Sequence, residues 1–423
     1  MNSVLLPGPV GNLDADVRVP TSKSLTNRAL IAAAAADGGE VLRPLDCEDT
    51  RLLADALRQA GWPVEWGSSI RIGPRETVSR IRVDLGNSGT GSRLILGLLA
   101  CVPGSFTVDG TPRLRERPMA PLIEALGELG STIESRDGRL PVTLKGGRLA
   151  GGKLRITPEV SSQFVSSLLL AAPLMTRGLD LEVLGTVPSR PYLDLTEQTL
   201  TAFGATVEAL ENRWRVEPGG IRPTSFAVEG DWSAMAFPAA AAAVAGGRVG
   251  IRPLDGESAQ GDRAICGILR RAGVAIDFVG ETVDVRGPAD RPFDASLEDA
   301  PDAFPALAVV AAAGPPGTVL RGLDHLRHKE CDRLAVMLSN LGRLGAGIER
   351  EQGEIRVVRP MDRHRKRRVA VTAAADHRIA MAMAVAGLAT GGLELDDADC
   401  VGKSFPGFWS MWKGLLDGSG ELR

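Results

Sequence analysis

The chain has 423 residues, of which 44% are hydrophobic and 24% charged, and this composition is typical of a soluble globular protein with two to three domains. Its formal net charge of −3 excludes a strong overall attraction to nucleic acid or anionic lipid. No apolar run reaches the roughly 18 residues of a membrane span, and the N-terminus lacks a signal-peptide pattern, so we expect a cytoplasmic protein. The five scattered cysteines predict free thiols in a reducing compartment.

Six segments begin with small polar or charged residues and continue into an apolar helix, about 70 residues apart. Because helix N-termini bind anions, we expect six such ends of similar build. The period predicts a sixfold internal repeat. The segments are marked by Ser22, Ser88, Ser161, Asp231, Asp302 and Asp376.

A second pattern repeats with the same period. Each unit contains an amphipathic helix that ends at a glycine and is followed by the start of a short strand. The glycine is a typical residue just beyond a helix C-terminus. The positions are Gly61, Gly130, Gly204, Gly273 and Gly345.

Each unit therefore reads as strand, buried helix, strand, amphipathic helix and further strands. The opening strand is clear at residues 81–85, before the second marker, and at 226–229, before the fourth. The sixth unit stops at Gly418 without its last strand. The alternation in residues 13–19 predicts an N-terminal strand that completes it, so both termini would share one domain. Helices that are apolar on all faces favour compact domains over a solenoid.

The basic run at residues 363–368 resembles a nucleic-acid patch when taken alone. It contains no aromatic residue and lies between two predicted strands, at 355–358 and 369–372. A solvated loop is the better interpretation, and we expect no nucleic-acid partner. The glycine-rich segment 86–91 lacks the lysine of a phosphate-binding Walker A loop.

Cationic residues collect near the starts of the apolar helices. A surface ion pair would explain any one of them, but it does not explain a whole set at equivalent repeat positions. Arginine clamps phosphate and carboxylate groups, lysine adds a mobile charge, and helix dipoles contribute further. The set predicts a site for a multiply anionic ligand. It comprises Lys23, Arg28, Arg93, Arg378, Lys403 and the segments 113–117 and 329–333.

Eight motifs in this order resemble the 5-enolpyruvylshikimate-3-phosphate (EPSP) synthase family, and the resemblance covers essentially the full chain. The motifs lie at residues 20–28, 85–90, 113–118, 161–164, 189–192, 329–334, 376–378 and 403–406. The resemblance implies an α/β fold, the two-domain enolpyruvyl-transferase fold or inside-out α/β barrel, with three βαβαββ repeats and buried parallel helices in each domain. One domain would comprise residues 1–18 and 231–423, and the inserted domain residues 19–230.

The family reaction joins phosphoenolpyruvate to shikimate 3-phosphate and releases phosphate, on the pathway to chorismate and the aromatic amino acids. The resemblance implies no metal or organic cofactor, a monomer, two domains that close on their ligands, and small-molecule substrates as the only partners. The 5-hydroxyl attacks C2 of the enolpyruvyl group, C3 is protonated, and phosphate then leaves by C–O cleavage. Such a reaction needs a base, an acid and cations around the anionic groups.

Matching positions in the family motifs supply the expected ligand residues. Shikimate 3-phosphate would be held by Lys23, Ser24, Arg28, Ser161, Ser162, Gln163, Ser189, Tyr192, Asp302 and Lys329. Phosphoenolpyruvate would be held by Lys23, Asn87, Gly89, Arg117, Gln163, Arg333, Arg378 and Lys403.

The expected catalytic residues are Asp302, Glu330 and Lys23. Asp302 is the candidate base for the 5-hydroxyl, because a carboxylate among cations is ionised at neutral pH. It begins an apolar helix, so it could also be an N-cap. The route of protons among these residues and His377 is left open. The family also implies inhibition by glyphosate beside Gly89.

Two alternatives remain. The sister enzyme that acts on UDP-N-acetylglucosamine has the same fold and the same enolpyruvyl donor. It differs in carrying a Lys-Asn pair where this chain has Lys23-Ser24. It also has a loop cysteine where this chain has the arginines of residues 113–117. A noncatalytic anion-binding repeat protein is disfavoured by the presence of Asp302, Glu330 and Lys23 together.

Overall fold

The computed structural model describes residues 3–157, 161–187, 189–364 and 367–418. The chain divides into two compact units, which we call the terminal unit (Met1–Pro20 and Glu229–Arg423) and the inserted unit (Thr21–Val228). Each unit has its own core of buried apolar residues. Within the described ranges, no helix has both the length and the apolar character needed to cross a membrane.

The chain begins with two strands of the terminal unit, β1 (Val4–Leu6) and β2 (Leu13–Arg18). The elements of the inserted unit follow in chain order. They are α1 (Lys23–Ala35), β3 (Gly39–Leu42), α2 (Glu48–Gln59), β4 (Val64–Trp66), β5 (Ser69–Ile72), β6 (Arg80–Asp84), α3 (Gly89–Ala100), β7 (Gly104–Asp109), α4 (Pro112–Glu116), α5 (Ala120–Glu128), β8 (Thr132–Arg136), β9 (Arg139–Gly146), β10 (Gly152–Ile156), α6 (Gln163–Ala171), β11 (Leu179–Val183), α7 (Pro191–Ala202), β12 (Val207–Ala209), β13 (Arg213–Val216) and β14 (Ser225–Ala227).

The remaining elements belong to the terminal unit. They are α8 (Trp232–Ala245), β15 (Gly247–Arg252), α9 (Ile265–Arg271), β16 (Ala275–Val279), β17 (Thr282–Gly287), β18 (Asp294–Ser296), α10 (Phe304–Ala313), β19 (Val319–Arg321), α11 (Arg333–Arg343), β20 (Gly347–Glu351), β21 (Glu354–Arg359), β22 (Val369–Val371), α12 (His377–Gly387), β23 (Leu393–Leu395) and α13 (Phe408–Asp417). Short 3₁₀ turns lie at Gly261–Ala264, Pro301–Ala303, Asp324–His328 and Ala398–Lys403.

The predicted α/β class and repeated βαβαββ unit are confirmed. The inserted unit has three four-stranded sheets, ordered β6-β7-β9-β8, β10-β11-β13-β12 and β14-β3-β5-β4. The terminal unit has β16-β17-β15-β2, β18-β19-β21-β20 and the three-stranded sheet β1-β23-β22. In the four-stranded sheets, the opening strand pairs in parallel with its neighbour and the other pairs are antiparallel. None of these sheets closes into a barrel of strands within the described residues.

Two strands have partners other than those predicted. The segment at 226–229 was expected to open the repeat that contains Asp231, but β14 instead pairs in parallel with β3 and completes the first repeat of the inserted unit. The strand that opens the repeat containing Asp231 is instead β2, which pairs in parallel with β15. The sixth sheet is completed not by residues 13–19 but by β1, antiparallel to β23. Strand alternation shows which face is buried but does not specify the neighbouring strand.

The six apolar helices α1, α3, α6, α8, α10 and α12 form the two cores, as their all-round apolar character predicts. Every residue of α10 and of α12 is buried. These two helices are therefore enclosed along their whole length. The five glycines predicted after the amphipathic helices all have positive φ, between 91° and 103°, which confirms their position.

Helices α3 and α6 are in close contact at Gly97. A Cβ atom there would lie 2.5 Å from the Ser167 carbonyl oxygen. The Gly97 amide donates to Ser167 Oγ (3.2 Å), which itself donates to the Arg93 carbonyl (2.6 Å). A side chain at residue 97 must therefore push the two helices apart.

Gly97→Ala is expected to lower the free energy of unfolding by about 1–3 kcal/mol, because backbone atoms cannot move aside as a side chain can. Urea denaturation measures this loss. Gly127→Ala in α5 is the control, since its Cβ would meet nothing nearer than 3.9 Å. Equal stability of the two variants would contradict the close helix packing.

The basic run at 363–368 follows β21 and precedes β22, so the two predicted strands around it are confirmed. Arg363 donates to the Ala313 carbonyl at 2.7 Å. Arg365 and Lys366 lie outside the described residues.

Candidate active site

The predicted site residues divide between the two units. Several lie in the first turns of the buried helices, such as Lys23 of α1, Gln163 of α6 and Arg378 of α12, and others lie in short turns and in other helices. In the inserted unit these helix starts carry hydroxyl residues. Ser22 and Ser88 are N-caps whose side chains accept from the Leu25 and Gly91 amides, and Ser162 is the N-cap residue of α6. A neutral cap leaves the positive end of the helix dipole uncompensated, which suits an anionic ligand.

Lys23 is buried at the start of α1, and its Nζ lies 2.9 Å from the carboxylate of Asp49. Asp49 is itself buried in the first turn of α2. It was not among the predicted residues, because an acidic residue in the first turn of a helix is an ordinary feature of helix starts. The structure shows that it fixes the position of the Lys23 ammonium.

Arg28 is fully buried behind this first turn. Its Nε donates to Thr196 Oγ1 (2.9 Å), and its two Nη atoms donate to Ser166 Oγ and to the carbonyls of Ser24 and Tyr192. Burial lowers the pKa of Arg28 to about 10, so the guanidinium is still charged at neutral pH. Arg28 thus ties α1 to α6 and α7, and ligand binding by this residue stays a prediction.

Gln163, the first residue of α6, is held by its neighbours in one orientation. Its Oε1 accepts from Arg93 Nη1 at 2.7 Å, and its Nε2 donates to Thr90 Oγ1 at 3.0 Å. Arg93 Nη1 also reaches Ser161 Oγ at 3.4 Å. Two of the predicted ligand residues are therefore connected through Arg93, which positions them.

Gly89, the first residue of α3, lies directly against the guanidinium of Arg117. A Cβ at residue 89 would be 2.1 Å from Arg117 Nη1 and 2.5 Å from its Cζ. Asn87 precedes the Ser88 cap in the same turn. Three predicted phosphoenolpyruvate residues, Asn87, Gly89 and Arg117, thus meet at this helix start.

Ser189 has φ of +59°, which is uncommon for a residue with a side chain. Its carbonyl accepts from the Tyr192 amide at 3.1 Å, and the Tyr192 ring centroid lies 5.7 Å from the Arg28 Cζ. Such backbone strain is concentrated at functional sites. Tyr192 therefore lies beside the buried Arg28, and Ser189 is joined to Tyr192 by this backbone hydrogen bond.

The helix starts of the terminal unit differ, since each carries a carboxylate. Asp231 caps α8 and accepts from the Ala234 amide, and Asp376 caps α12 and accepts from the Arg378 amide, both at 2.9 Å. Asp302 lies in the 3₁₀ turn before α10. The expectation of six similar helix ends was therefore wrong. In this unit the helix dipoles are offset by acidic side chains, and positive charge must come from arginine and lysine.

Arg333 is the centre of this cluster, and only 1% of its side chain is exposed. Its Nη1 donates to Asp302 (2.7 Å), its Nη2 to Glu330 (2.8 Å) and its Nε to Asp376 (2.7 Å). Burial alone would lower the pKa of Arg333, but Asp376, Glu330 and Asp302 outweigh burial and hold that pKa well above its usual value. Arg333 therefore fixes three carboxylates at once.

Asp302 does not cap α10, because the N-cap residue is Ala303. Its second carboxylate oxygen lies 2.8 Å from Arg378 Nη2, and Lys329 Nζ is 4.0 Å from the first. Burial would raise the pKa of Asp302, but Arg378, Lys329 and Arg333 hold it well below the usual range. Asp302 is therefore an ionised carboxylate at neutral pH.

Glu330 lies between Arg333 and Lys403, whose Nζ is 3.9 Å from Glu330 Oε1. Next to it, the Cys331 Sγ lies 3.7 Å from the Asp376 carboxylate, and burial followed by the charge of Asp376 raises the pKa of this thiol. His377 is fully buried, with Nδ1 3.9 Å from Asp376. All terminal-unit residues that were predicted for the site lie in or beside this cluster.

Two further residues of the cluster were not predicted. Burial and then the charge of Lys329 lower the pKa of His325 to about 3, so its imidazole is neutral. Burial and then the charge of Asp302 raise the pKa of Asp262 to about 6. Nothing in the local sequence around either residue distinguishes it from a surface residue.

Among the described residues, no group of three or more His, Cys, Asp or Glu side chains is arranged to hold a metal ion.

Comparison with known proteins gives a consistent result. Residues 8–412 match the family model described as EPSP synthase (3-phosphoshikimate 1-carboxyvinyltransferase). The chain is 39% identical to a 3-phosphoshikimate 1-carboxyvinyltransferase from Methanoculleus marisnigri, with 96% of this chain and 97% of the relative covered.

Solved structures agree with this match. The fold is similar to EPSP synthase from Acinetobacter baumannii, with a TM-score of 0.76, 26% identity, and coverage of 97% of this chain and 98% of the other. The enolpyruvyl transferase NikO from Streptomyces tendae gives a TM-score of 0.78 at 20% identity, with 98% and 97% covered. The likeness to NikO, at this low identity, concerns the fold alone.

Proposed function

Because this chain belongs to the EPSP synthase (3-phosphoshikimate 1-carboxyvinyltransferase) family, we propose that it transfers the enolpyruvyl group of phosphoenolpyruvate to the 5-hydroxyl of shikimate 3-phosphate. Phosphate is released, and the product leads to chorismate and the aromatic amino acids. The observation that carries this proposal is the ionised, half-buried Asp302, held among Arg333, Arg378 and Lys329. A noncatalytic anion-binding protein would need the cations but not a carboxylate fixed among them.

Shikimate 3-phosphate carries a phosphate and several hydroxyls. Cationic side chains bind the phosphate, and hydroxyl and amide side chains form hydrogen bonds with the hydroxyls. In the inserted unit, the Arg93 and Thr90 contacts hold the Gln163 amide ready to bind. The residues proposed to bind it are Lys23, Ser24, Arg28, Ser161, Ser162, Gln163, Ser189, Tyr192, Asp302 and Lys329.

Phosphoenolpyruvate has a phosphate and a carboxylate close together, so it needs more positive charge within a small volume. The planar guanidinium of arginine can donate two hydrogen bonds to a phosphate or a carboxylate. A buried arginine also attracts an anion more strongly, because little water screens its charge. The residues proposed to bind it are Lys23, Asn87, Gly89, Arg117, Gln163, Arg333, Arg378 and Lys403.

Asp302 is proposed to accept the proton of the 5-hydroxyl as its oxygen forms a bond to C2. A group with a lowered pKa is ionised and available for this role throughout the neutral range. The proton added at C3 is proposed to come from Glu330 or Lys23. Lys403 near Glu330 and Asp49 near Lys23 provide a charged partner for each donor. Cleavage of the C–O bond then releases phosphate, and C3 gives up a proton to the same group as it leaves, so that the enolpyruvyl double bond is re-formed.

Release of inorganic phosphate tests this function. We expect release only when both phosphoenolpyruvate and shikimate 3-phosphate are present. Release with UDP-N-acetylglucosamine instead would establish the sister activity, and binding of the anions without release would indicate a noncatalytic protein.

We further propose that the protein is a cytoplasmic monomer. Light scattering with size-exclusion chromatography measures its oligomeric state.

Gly89→Ala is expected to reduce inhibition by glyphosate by at least about tenfold and to raise the KM for phosphoenolpyruvate. The added methyl group must displace the Arg117 guanidinium, which it would meet at 2.1 Å. Steady-state kinetics with glyphosate as competitor measures both constants.

Gly127→Ala again serves as the control, because its Cβ would have only ordinary contacts. An unchanged glyphosate inhibition constant for Gly89→Ala would show that the inhibitor does not occupy the space beside Arg117.

A further inference from the structure

Asp262 lies in the 3₁₀ turn Gly261–Ala264, where only 3% of it is exposed. Its carboxylate accepts a hydrogen bond from Ser233 Oγ in the first turn of α8. The nearby Gln260 accepts from the Trp232 amide at 3.2 Å. The start of α8 is thus covered by residues 260–262 as well as by its own cap, Asp231.

The turn that holds Asp262 packs against the turn Pro301–Ala303, which carries Asp302. The groups that face Asp262 are Asp231 and Ser233 of α8, Asp302 of this turn, and Arg378 of α12. Asp262 thus interacts with two further carboxylates, Asp302 and Asp231, and with the positive charge of Arg378, whose Nη2 lies 2.8 Å from Asp302. A buried carboxylate in such a place affects both the basicity of Asp302 and the field of Arg378.

We propose that Asp262 is a positioning residue for enolpyruvyl transfer, a buried carboxylate whose negative charge strengthens Asp302 as a base and weakens the attraction of Arg378 for the carboxylate of phosphoenolpyruvate. This inference rests on the roles proposed above for Asp302 and Arg378. Asp262 itself does not touch the reacting atoms. It acts through the charges of its two neighbours.

The charge of Asp262 changes within the range in which the enzyme can be assayed. Burial, followed by the charge of Asp302, raises its pKa to about 6, while Arg378 and the Ser233 hydrogen bond oppose the rise. Asp302, by contrast, stays ionised far below this pH because its pKa is strongly lowered. The base Asp302 is therefore not the group whose charge changes near pH 6.

Asp262→Asn keeps the size and the hydrogen-bond acceptor but removes the charge. We expect kcat to fall about three- to tenfold, because Asp302 loses basicity, and the KM for phosphoenolpyruvate to fall about threefold, because Arg378 attracts the anion more strongly. The two constants thus move in the same direction, which a merely distorted site would not produce. The kcat ratio of wild type to Asp262→Asn should decline towards one as the pH falls from about 7.5 to about 5.5. The ratio of the two kcat values is used because substrate phosphates also titrate near pH 6, and that effect is the same for both enzymes.

Ser233→Ala provides a second, independent measurement. Removing the donor that favours ionised Asp262 should raise the pH at which turnover changes by up to about one unit. Asp262→Asn should not reduce the free energy of unfolding at pH 8. The raised pKa means that this carboxyl contributes stability below about pH 4, and that this contribution is lost as the pH rises through about 6.

The inference is overturned if Asp262→Asn has the wild-type kcat, KM and pH profile, or if it loses stability at pH 8 while its pH profile keeps the wild-type shape. An unmoved pH profile for Ser233→Ala would also overturn it. Failure of the proposed function is a different result, because the wild-type enzyme itself would then release no phosphate from the two substrates.

Discussion

Asp302→Asn is expected to lower kcat by about 10²- to 10⁴-fold, the usual contribution of a general base, while both substrates still bind. Asp302→Ala should behave in the same way. The amide keeps the shape of the side chain but cannot take the proton of the 5-hydroxyl. Since the substitution also removes a negative charge between Arg333 and Arg378, anionic substrates should bind as tightly as before or more tightly. Phosphate release measures turnover, and isothermal titration calorimetry measures binding.

Asp299→Asn is the matched control, because Asp299 is an exposed aspartate only three residues earlier in the chain. It should have wild-type turnover. Near-normal turnover of Asp302→Asn would remove this residue from the mechanism. Loss of substrate binding with the loss of turnover would show that Asp302 acts in ligand recognition and not as the base.

Arg333→Met is expected to lower the free energy of unfolding at neutral pH by about 3–5 kcal/mol, the effect of removing one partner from a buried ionic cluster. The substitution leaves Asp302, Glu330 and Asp376 close together without the guanidinium that each of them contacts. Arg333→Lys should be intermediate, because one ammonium group cannot bond three carboxylates in the geometry of the arginine fork. Urea denaturation monitored by circular dichroism measures both changes.

The loss should depend on pH. The lowered pKa of Asp302 means that its ionised form stabilises the native state above the usual carboxyl pKa, and that this contribution is lost as the pH falls through the native value. The difference between wild type and Arg333→Met should therefore be largest near neutral pH and smaller in acid. Arg343→Met, at the exposed end of the same helix, should change stability by at most about 1 kcal/mol. Equal effects at the two positions would show that the cluster does not contribute to stability.

The repeated elements could be predicted because their signals are local. Helices that are apolar all round, such as α10, must be buried wherever they pack, and the glycine after each amphipathic helix needs a positive φ whatever surrounds it. Strand partners could not be predicted in this way. The strands β2 and β14 precede α1 and α8 in the chain, yet β2 joins the sheet that begins the α8 repeat and β14 joins the first repeat of the inserted unit. Pairing is decided by long-range contacts that alternation does not encode.

The candidate site also combines local features that the sequence predicts with long-range contacts that it does not. Motifs in the amino-acid sequence were enough to predict Lys23, Gln163, Asp302 and Arg333 as site residues, because their residue types and order are specific. Their ionic partners are distant in sequence, as with Lys23 and Asp49, and so could not be found from spacing.

By itself, then, the amino-acid sequence determined the repeat, the buried helices, the family and the residues that carry charge at the helix starts. Only the tertiary structure decided which strand completes which sheet and which carboxylate faces which cation, including the buried Asp262. The physical reason is that secondary structure and burial follow from neighbouring residues, whereas the charge state of a side chain depends on groups that folding brings together from distant parts of the chain.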